Sequence, residues 1–202
     1  GVIERGLLLK MRFELDLFVN LWPIKLYDES LCPLKDKRPE DVDMIIVREN
    51  TEDAYVGAHG FTHKGQANEV ATQTMVYTRV GVERVIRYAF ELARTRPRRK
   101  VTSATKSNGI AITMPYWDER FKAMASRHPD IATDQYHIDI LVAHFVSRPQ
   151  IFDVVVGSTL FGDILSDLGP AVCGTIGIAP SANINPDRTS PSLFEPVHGS
   201  AP

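Results

Sequence analysis

Asp153-Val-Val-Val-Gly157 runs straight into Ser158-Thr-Leu-Phe-Gly-Asp163-Ile-Leu-Ser-Asp167, and the reading of this junction decides the fold. The first segment is a short apolar run that stops at a glycine, which reads as a buried strand. Leu160, Ile164, Leu165 and Leu168 then recur at helical spacing, so a helix follows, and Gly169-Pro170 is expected to end it. Asp163 and Asp167 fall one turn apart on one face of that helix. Two like charges so placed cost roughly 0.2–0.5 kcal/mol in an isolated helix. Asp167 also sits near the expected helix end, where the dipole disfavours a negative charge. Local stability therefore does not account for the pair. A bound divalent cation does, because carboxylate oxygens are the ligands that Mg²⁺ and Mn²⁺ take. The plainer alternative is two solvated aspartates on an exposed face.

Outward from the junction, strands and helices alternate. On the N-terminal side, an amphipathic helical pattern spans 4–18 and is ended by Asn20-Leu-Trp-Pro23, and Ile24-Lys-Leu-Tyr27 reads as a short strand. Residues 28–41 are polar, carry Pro33 and Pro39, and read as a surface loop. Asp43-Met-Ile-Ile-Val-Arg48 is a buried strand that opens into the polar loop 49–57. Residues 58–68 show no periodicity, whereas 69–78 alternate and read as a two-faced, antiparallel strand. A helix over 81–94, a strand over 100–105, a helix over 116–124, a strand over 131–136 and a helix over 138–145 complete the approach to the junction. Gly- and Pro-rich turns are expected after it. This alternation predicts an α/β architecture. Polar clusters at 48–55, 106–108, 137–139 and 158–167 stand where strands hand over to loops or helices, and ligands collect at such carboxyl ends in open α/β sheets.

The net charge of -2 gives no global electrostatic case for nucleic acid. No apolar run approaches the roughly 20 residues of a membrane span. No charged region followed by an apolar core marks a secretory signal. Cys32 and Cys173 have no metal-ligand spacing, which fits a reducing, cytoplasmic setting. His59, His63, His128, His137 and His144 show no metal spacing either and read as surface or capping residues. No Gly-x-Gly-x-x-Gly follows a strand, so a Rossmann fingerprint is missing.

Several of these clusters, in order and spacing, resemble the β-decarboxylating dehydrogenases, the family of isocitrate, isopropylmalate, homoisocitrate, D-malate and tartrate dehydrogenases. The resemblance is carried by Met11-Arg12, Asp16-Leu-Phe-Val-Asn-Leu-Trp-Pro23 and Val47-Arg-Glu-Asn-Thr-Glu-Asp-Ala-Tyr55. It continues through Thr105-Lys-Ser-Asn108, Asp139, the 158–167 stretch and Glu195-Pro-Val-His-Gly-Ser-Ala-Pro202. Residues 103–120 and 177–186 look closest to the tartrate and D-malate branch. The implied fold is isopropylmalate-dehydrogenase-like. Residues 18–173 would form a central substrate, metal and dimerisation domain, and 1–17 and 174–202 would be parts of a larger, cofactor-side domain. Members of that family are longer, so the chain is expected to be a fragment.

The resemblance implies NAD-dependent oxidation, with or without decarboxylation, of a small 2-hydroxy dicarboxylic acid such as tartrate or D-malate, by a homodimer with sites shared between subunits. Asp163 and Asp167 would hold Mg²⁺ or Mn²⁺, with Asp139 supplied by the partner and K⁺ a candidate accessory ion. Lys106, also from the partner, would take the hydroxyl proton, which requires a lowered pKa. Tyr55 would protonate the enol carbon. Arg12 and Arg48 would fork the substrate carboxylates. Asn108, Glu195, His198, Gly199 and Ser200 would touch the dinucleotide. Taken singly, each has a simpler reading: Asp139 a helix N-terminal aspartate, Lys106 a surface lysine, Tyr55 a buried hydroxyl, Arg48 an ion pair with Glu49. Trp22 departs from the pattern, standing where the family has a third arginine and offering one N–H and no charge. Alternatives are 3-isopropylmalate or isocitrate oxidation, or an inactive dimerisation domain.

Overall fold

A computed structural model describes residues 4–196. The strands are β1 (Val19–Lys25), β2 (Asp43–Glu49), β3 (His59–Thr62), β4 (Val70–Gln73), β5 (Lys100–Thr105), β6 (Ala132–His137), β7 (Val154–Gly157), β8 (Pro180–Ile184) and β9 (Leu193–Pro196). The helices are α1 (Leu9–Glu14), α2 (Arg79–Arg94), α3 (Thr113–Ala125), α4 (Ile138–Ser147) and α5 (Thr159–Cys173). A seven-stranded sheet has the order β6-β5-β7-β2-β1-β8-β9. Its β6-β5-β7-β2 portion is parallel, and β1, β8 and β9 continue it antiparallel. Helices α2 and α3 pack together against the parallel strands, and α4 packs with α5, which lies along β1, β2 and β7.

The central strands are apolar because both of their faces are covered. Val154, Val155, Val156, Ile46 and Val47 are fully buried. On α2, Val82, Val85, Ile86, Ala89, Phe90 and Ala93 recur at helical spacing and are all buried. The Thr78 hydroxyl caps this helix by accepting from the Gly81 N–H. The polar loop at 49–57 also follows its expected strand.

Several segments differ from the sequence reading. The N-terminal helical segment ends at Glu14, and Asp16 takes a left-handed turn (φ 46) that leads into β1. Asn20-Leu-Trp-Pro23, read as a break, lies inside β1. Proline is tolerated there because β8 pairs only as far as Leu21, so no strand needs an N–H from Pro23 on that side. Residues 59–62, which lack periodicity, pair with 70–73 as an exposed antiparallel hairpin. Helix α5 does not end at Gly169-Pro170. It continues to Cys173 and is closed by Gly174 in the left-handed region (φ 66). Gly169 allows this continuation, because a Cβ there would lie 2.7 Å from the Ile24 side chain. Asp167 is thus in the body of the helix, and the dipole argument against it does not apply. The turns expected after α5 contain β8 and β9, whose Pro, Ser and Asn residues hide the strand signal.

Cys173 is fully buried at the end of α5, and burial pushes its thiol up to about 12. The native protein at pH 8 should therefore alkylate at Cys173 at least ~100-fold more slowly than the urea-unfolded chain. Mass-spectrometric mapping of iodoacetamide labelling checks this, and equal rates in both states would contradict it.

Candidate active site

The loop after β2 is built from carboxylates that serve as caps. Glu52 accepts from the Thr78 N–H at the start of α2 (2.9 Å), and Asp53 accepts from the Leu160 N–H in the first turn of α5 (2.9 Å). Gly81 is needed for the first contact, because a Cβ would lie 2.2 Å from the Glu52 carboxyl. Asp53 adopts φ 68, ψ -147, a region usually left to glycine, and is held there by these bonds and by pairing with Val76. Glu49 is buried as well, and accepts from the N–H groups of Thr51 (2.7 Å) and Glu52 (2.8 Å) and from the Thr159 hydroxyl (2.5 Å). The sequence suggests no role for Glu52 or Asp53, and the simpler reading of Glu49 as an ion-pair partner of Arg48 is not what forms: Arg48 pairs with Asp163. The available signal was a run of charges placed immediately at a strand end.

The loop and α5 enclose a cavity of about 300 Å³ whose walls include Arg12, Trp22, Arg48, Tyr55, Asp163 and Asp167. Larger surface hollows exist, but none gathers this chemistry. Arg48 lies at the end of β2 against Gly162, where a Cβ would come within 2.5 Å of its own Cβ. From there its Nη1 donates to Asp163 Oδ1 at 2.5 Å. The Tyr55 hydroxyl donates to Asp163 Oδ2 at 2.7 Å. Arg12 makes a looser contact with Glu195 at 3.5 Å. Three buried polar atoms of these walls have no partner: Arg12 Nε, Arg48 Nε and Ser181 Oγ. Buried donors left open are costly unless a ligand completes them. Burial, and then the nearby Arg48 charge, push the Arg12 guanidinium down to about 10. Burial, and then the bond to Asp163, push the Tyr55 phenol up to about 12, so it keeps its proton at neutral pH.

Trp22 is buried in the cavity wall, and its indole N–H is already committed to Asn20 Oδ1 (2.5 Å). Asn20 in turn donates to Asn183, which donates to Glu195. The tryptophan thus faces the cavity as an apolar surface with no donor to spare.

The structure therefore brings Arg12, Arg48, Tyr55, Asp163, Asp167 and Glu195 together. It does not bring Lys106, Asn108 or Asp139 to the same cavity within one chain. Lys106 follows β5 and Asp139 opens α4, and the two are joined by a 2.7 Å ion pair on a more exposed part of the same sheet edge. That bond holds the Asp139 carboxyl below the usual range. Asn108 is exposed in the turn after Lys106. Among the described residues, no three His, Cys, Asp or Glu side chains form a group that could hold a metal. His198, Gly199 and Ser200 lie outside the described residues. No described helix is long and apolar enough to cross a membrane.

Buried arginines and carboxylates line one cavity beyond the carboxyl ends of β2 and β7, where ligands collect in open α/β sheets. The family model of isocitrate/isopropylmalate dehydrogenase matches residues 3–202, and the chain belongs to that family. It is 62% identical to a decarboxylating D-malate dehydrogenase of Escherichia coli strain K12 over 197 residues, 98% of this chain and 55% of that protein. It is 57% identical to a tartrate dehydrogenase/decarboxylase of Pseudomonas putida over 198 residues, 98% of this chain and 54% of that protein. The chain thus spans about half the length of these relatives. Its fold matches the crystal structure of isocitrate dehydrogenase from Methylococcus capsulatus with a TM-score of 0.87 and 38% identity, covering 98% of this chain and 56% of that one.

Proposed function

We propose that this cavity is the hydroxy-acid half of an NAD-dependent dehydrogenase that oxidises a small 2-hydroxy dicarboxylic acid, such as D-malate or tartrate, with or without decarboxylation. The observation that carries the reading is the convergence of two buried, incompletely paired arginines, a protonated tyrosine and two aspartates on one space. In this reading Arg12 and Arg48 grip the substrate's carboxylates through their guanidinium N–H groups. Asp163 and Asp167 offer the hard oxygen donors that Mg²⁺ or Mn²⁺ takes, and need further ligands from outside this set. When bound there, the cation supplies Lewis-acid polarisation of the substrate's C–O bond. Tyr55, held against Asp163, gives its proton to the enol carbon after carboxylate loss.

Lys106 and Asp139 fit the reading only across a homodimer, each site taking its base and third carboxylate from the partner. Residues 18–173 would form the substrate and dimerisation domain. Residues 1–17 and 174–202 would run into the cofactor-side domain, and Glu195, His198, Gly199 and Ser200 from it, with Asn108 from the substrate domain, would meet NAD. A cytoplasmic location and K⁺ as an accessory ion go with this reading. NADH formation from D-malate, L-tartrate, isocitrate and 3-isopropylmalate, with Mn²⁺ and K⁺ present, tests it in the full-length protein. Turnover of D-malate or tartrate is expected, and turnover of none would contradict it.

Trp22 favours one alternative, an inactive dimerisation domain, because it supplies no charge where the family pattern has a cation. If the site is active, Trp22→Arg should lower KM for the dicarboxylic acid by about 10- to 100-fold, the equivalent of one charged hydrogen bond worth roughly 1.5–3 kcal/mol. Steady-state kinetics on the full-length protein check this, and an unchanged KM would show that the carboxylate does not reach position 22.

A further inference from the structure

We propose that Glu49 and Thr159 are a positioning pair, whose contact fixes the attitude of α5 and thereby the placement of Asp163 against Arg48 and Tyr55. The catalytic consequence rests on the functional reading above, but the geometric consequence does not.

The sheet register places Arg48 opposite Gly157, so the strand ends are fixed by backbone pairing. Helix α5 begins just beyond; it packs along β1, β2 and β7, and its first turn is also held by side-chain ties to the 49–53 loop, one of them from Asp53 to the Leu160 N–H. Ser158 caps its own helix through the Phe161 N–H, which does not bind α5 to anything else. Thr159 does. Its hydroxyl lies 2.5 Å from Glu49 Oε2 and 2.9 Å from the Glu49 carbonyl oxygen, and both residues are buried. The Glu49 carboxylate is saturated: one oxygen serves the Thr51 N–H (2.7 Å) and hydroxyl (2.8 Å), the other the Glu52 N–H (2.8 Å) and Thr159. A carboxylate filled in this way has little freedom to move.

Thr159 stands one helical turn before Asp163 on the same face, and Glu49 is the chain neighbour of Arg48. The contact therefore touches both sides of the Arg48–Asp163 bond. It also anchors the loop that delivers Tyr55 to the same aspartate. Gly162 packs closely on Arg48, where an added Cβ would lie 2.5 Å from the Arg48 Cβ, so a rotation of α5 moves this contact and the Asp163 contacts together. Misplacement of about 1 Å can cost on the order of 100-fold in rate.

The test uses Thr159→Val, which keeps the branched shape and removes the hydroxyl, and Thr159→Ser, which restores it, both in the full-length protein. Crystal structures should show the Tyr55–Asp163 separation opening from 2.7 Å beyond hydrogen-bonding range in Thr159→Val and returning in Thr159→Ser. With Mn²⁺ and NAD, kcat for the hydroxy acid should fall roughly 10- to 100-fold in Thr159→Val with KM changed less than about threefold, and Thr159→Ser should recover most of the loss. An unchanged Tyr55–Asp163 distance in Thr159→Val would overturn the proposal, as would a kcat deficit that serine does not rescue. The distances decide the pair whether or not the wild type turns over, so an inactive wild type would overturn the functional reading alone.

Discussion

Replacing Arg48 with methionine should lower kcat/KM for the hydroxy acid by about 1000-fold or more. The side chain is only 3% exposed, it lies at the end of a central strand, and its Nη1 bonds Asp163 at 2.5 Å. Methionine keeps much of the length and apolar stem and removes every donor. Two charged hydrogen bonds to a substrate carboxylate are together worth roughly 3–6 kcal/mol, and Asp163 loses its counter-charge as well. Lysine at this position should recover only part of the loss, since it offers a point charge in place of a planar fork. Steady-state kinetics on the folded variants decide the matter. Losing less than about tenfold would mean that Arg48 pairs with Asp163 for structure alone.

The largest effect on stability is expected at the opposite end of the same strands. Asp153 heads β7 with no exposure, and accepts from Arg96 Nε at 2.5 Å and from the Lys100 N–H at 3.2 Å. Arg96 also holds the Asp43 carbonyl and carboxylate, each at 2.8 Å. The network thus ties the starting ends of β2, β5 and β7. Asp153→Ala leaves the mostly buried Arg96 with a half-exposed partner and the Lys100 N–H without one. Breaking one side of a buried pair costs about 3–5 kcal/mol, and the partial exposure of Asp43 places the expected value near 3. Urea unfolding should show this loss with an unchanged m-value. A loss below about 1 kcal/mol would mean that water replaces the carboxylate. Because Asp153 lies far along the strands from the cavity, kcat below the melting temperature should stay within a few-fold of wild type.

What the sequence revealed and what it concealed divide along physical lines. The β7–α5 junction is legible because an unbroken apolar run that stops at a glycine gives way to apolar residues at helical spacing. β1 was misread because Trp22-Pro23 looks like punctuation, and only the short reach of β8 shows why proline is acceptable there. β8 and β9 are hidden because each is only four or five residues long and carries a proline, and β8 mixes Ser181 and Asn183 with its apolar residues. In the site, Arg12, Arg48, Tyr55, Asp163 and Asp167 do meet in one cavity. The capping roles of Glu49, Glu52 and Asp53 are not legible, since a buried capping carboxylate and a solvated loop carboxylate read alike in a sequence. Lys106 and Asp139 pair with each other away from this cavity.

The Asp163–Asp167 pair on α5 offers the most direct measurement. Mn²⁺ binding and NADH formation should be followed in the full-length protein and in its Asp163→Asn/Asp167→Asn variant. The wild type should bind Mn²⁺ and turn over D-malate or tartrate. The variant should lose Mn²⁺ affinity by at least about 100-fold, beyond the 10- to 100-fold typical even of outer-shell changes, and turnover should fall with it. Mn²⁺ affinity and turnover that survive both substitutions would contradict the assignment of this cavity as the metal-dependent active site.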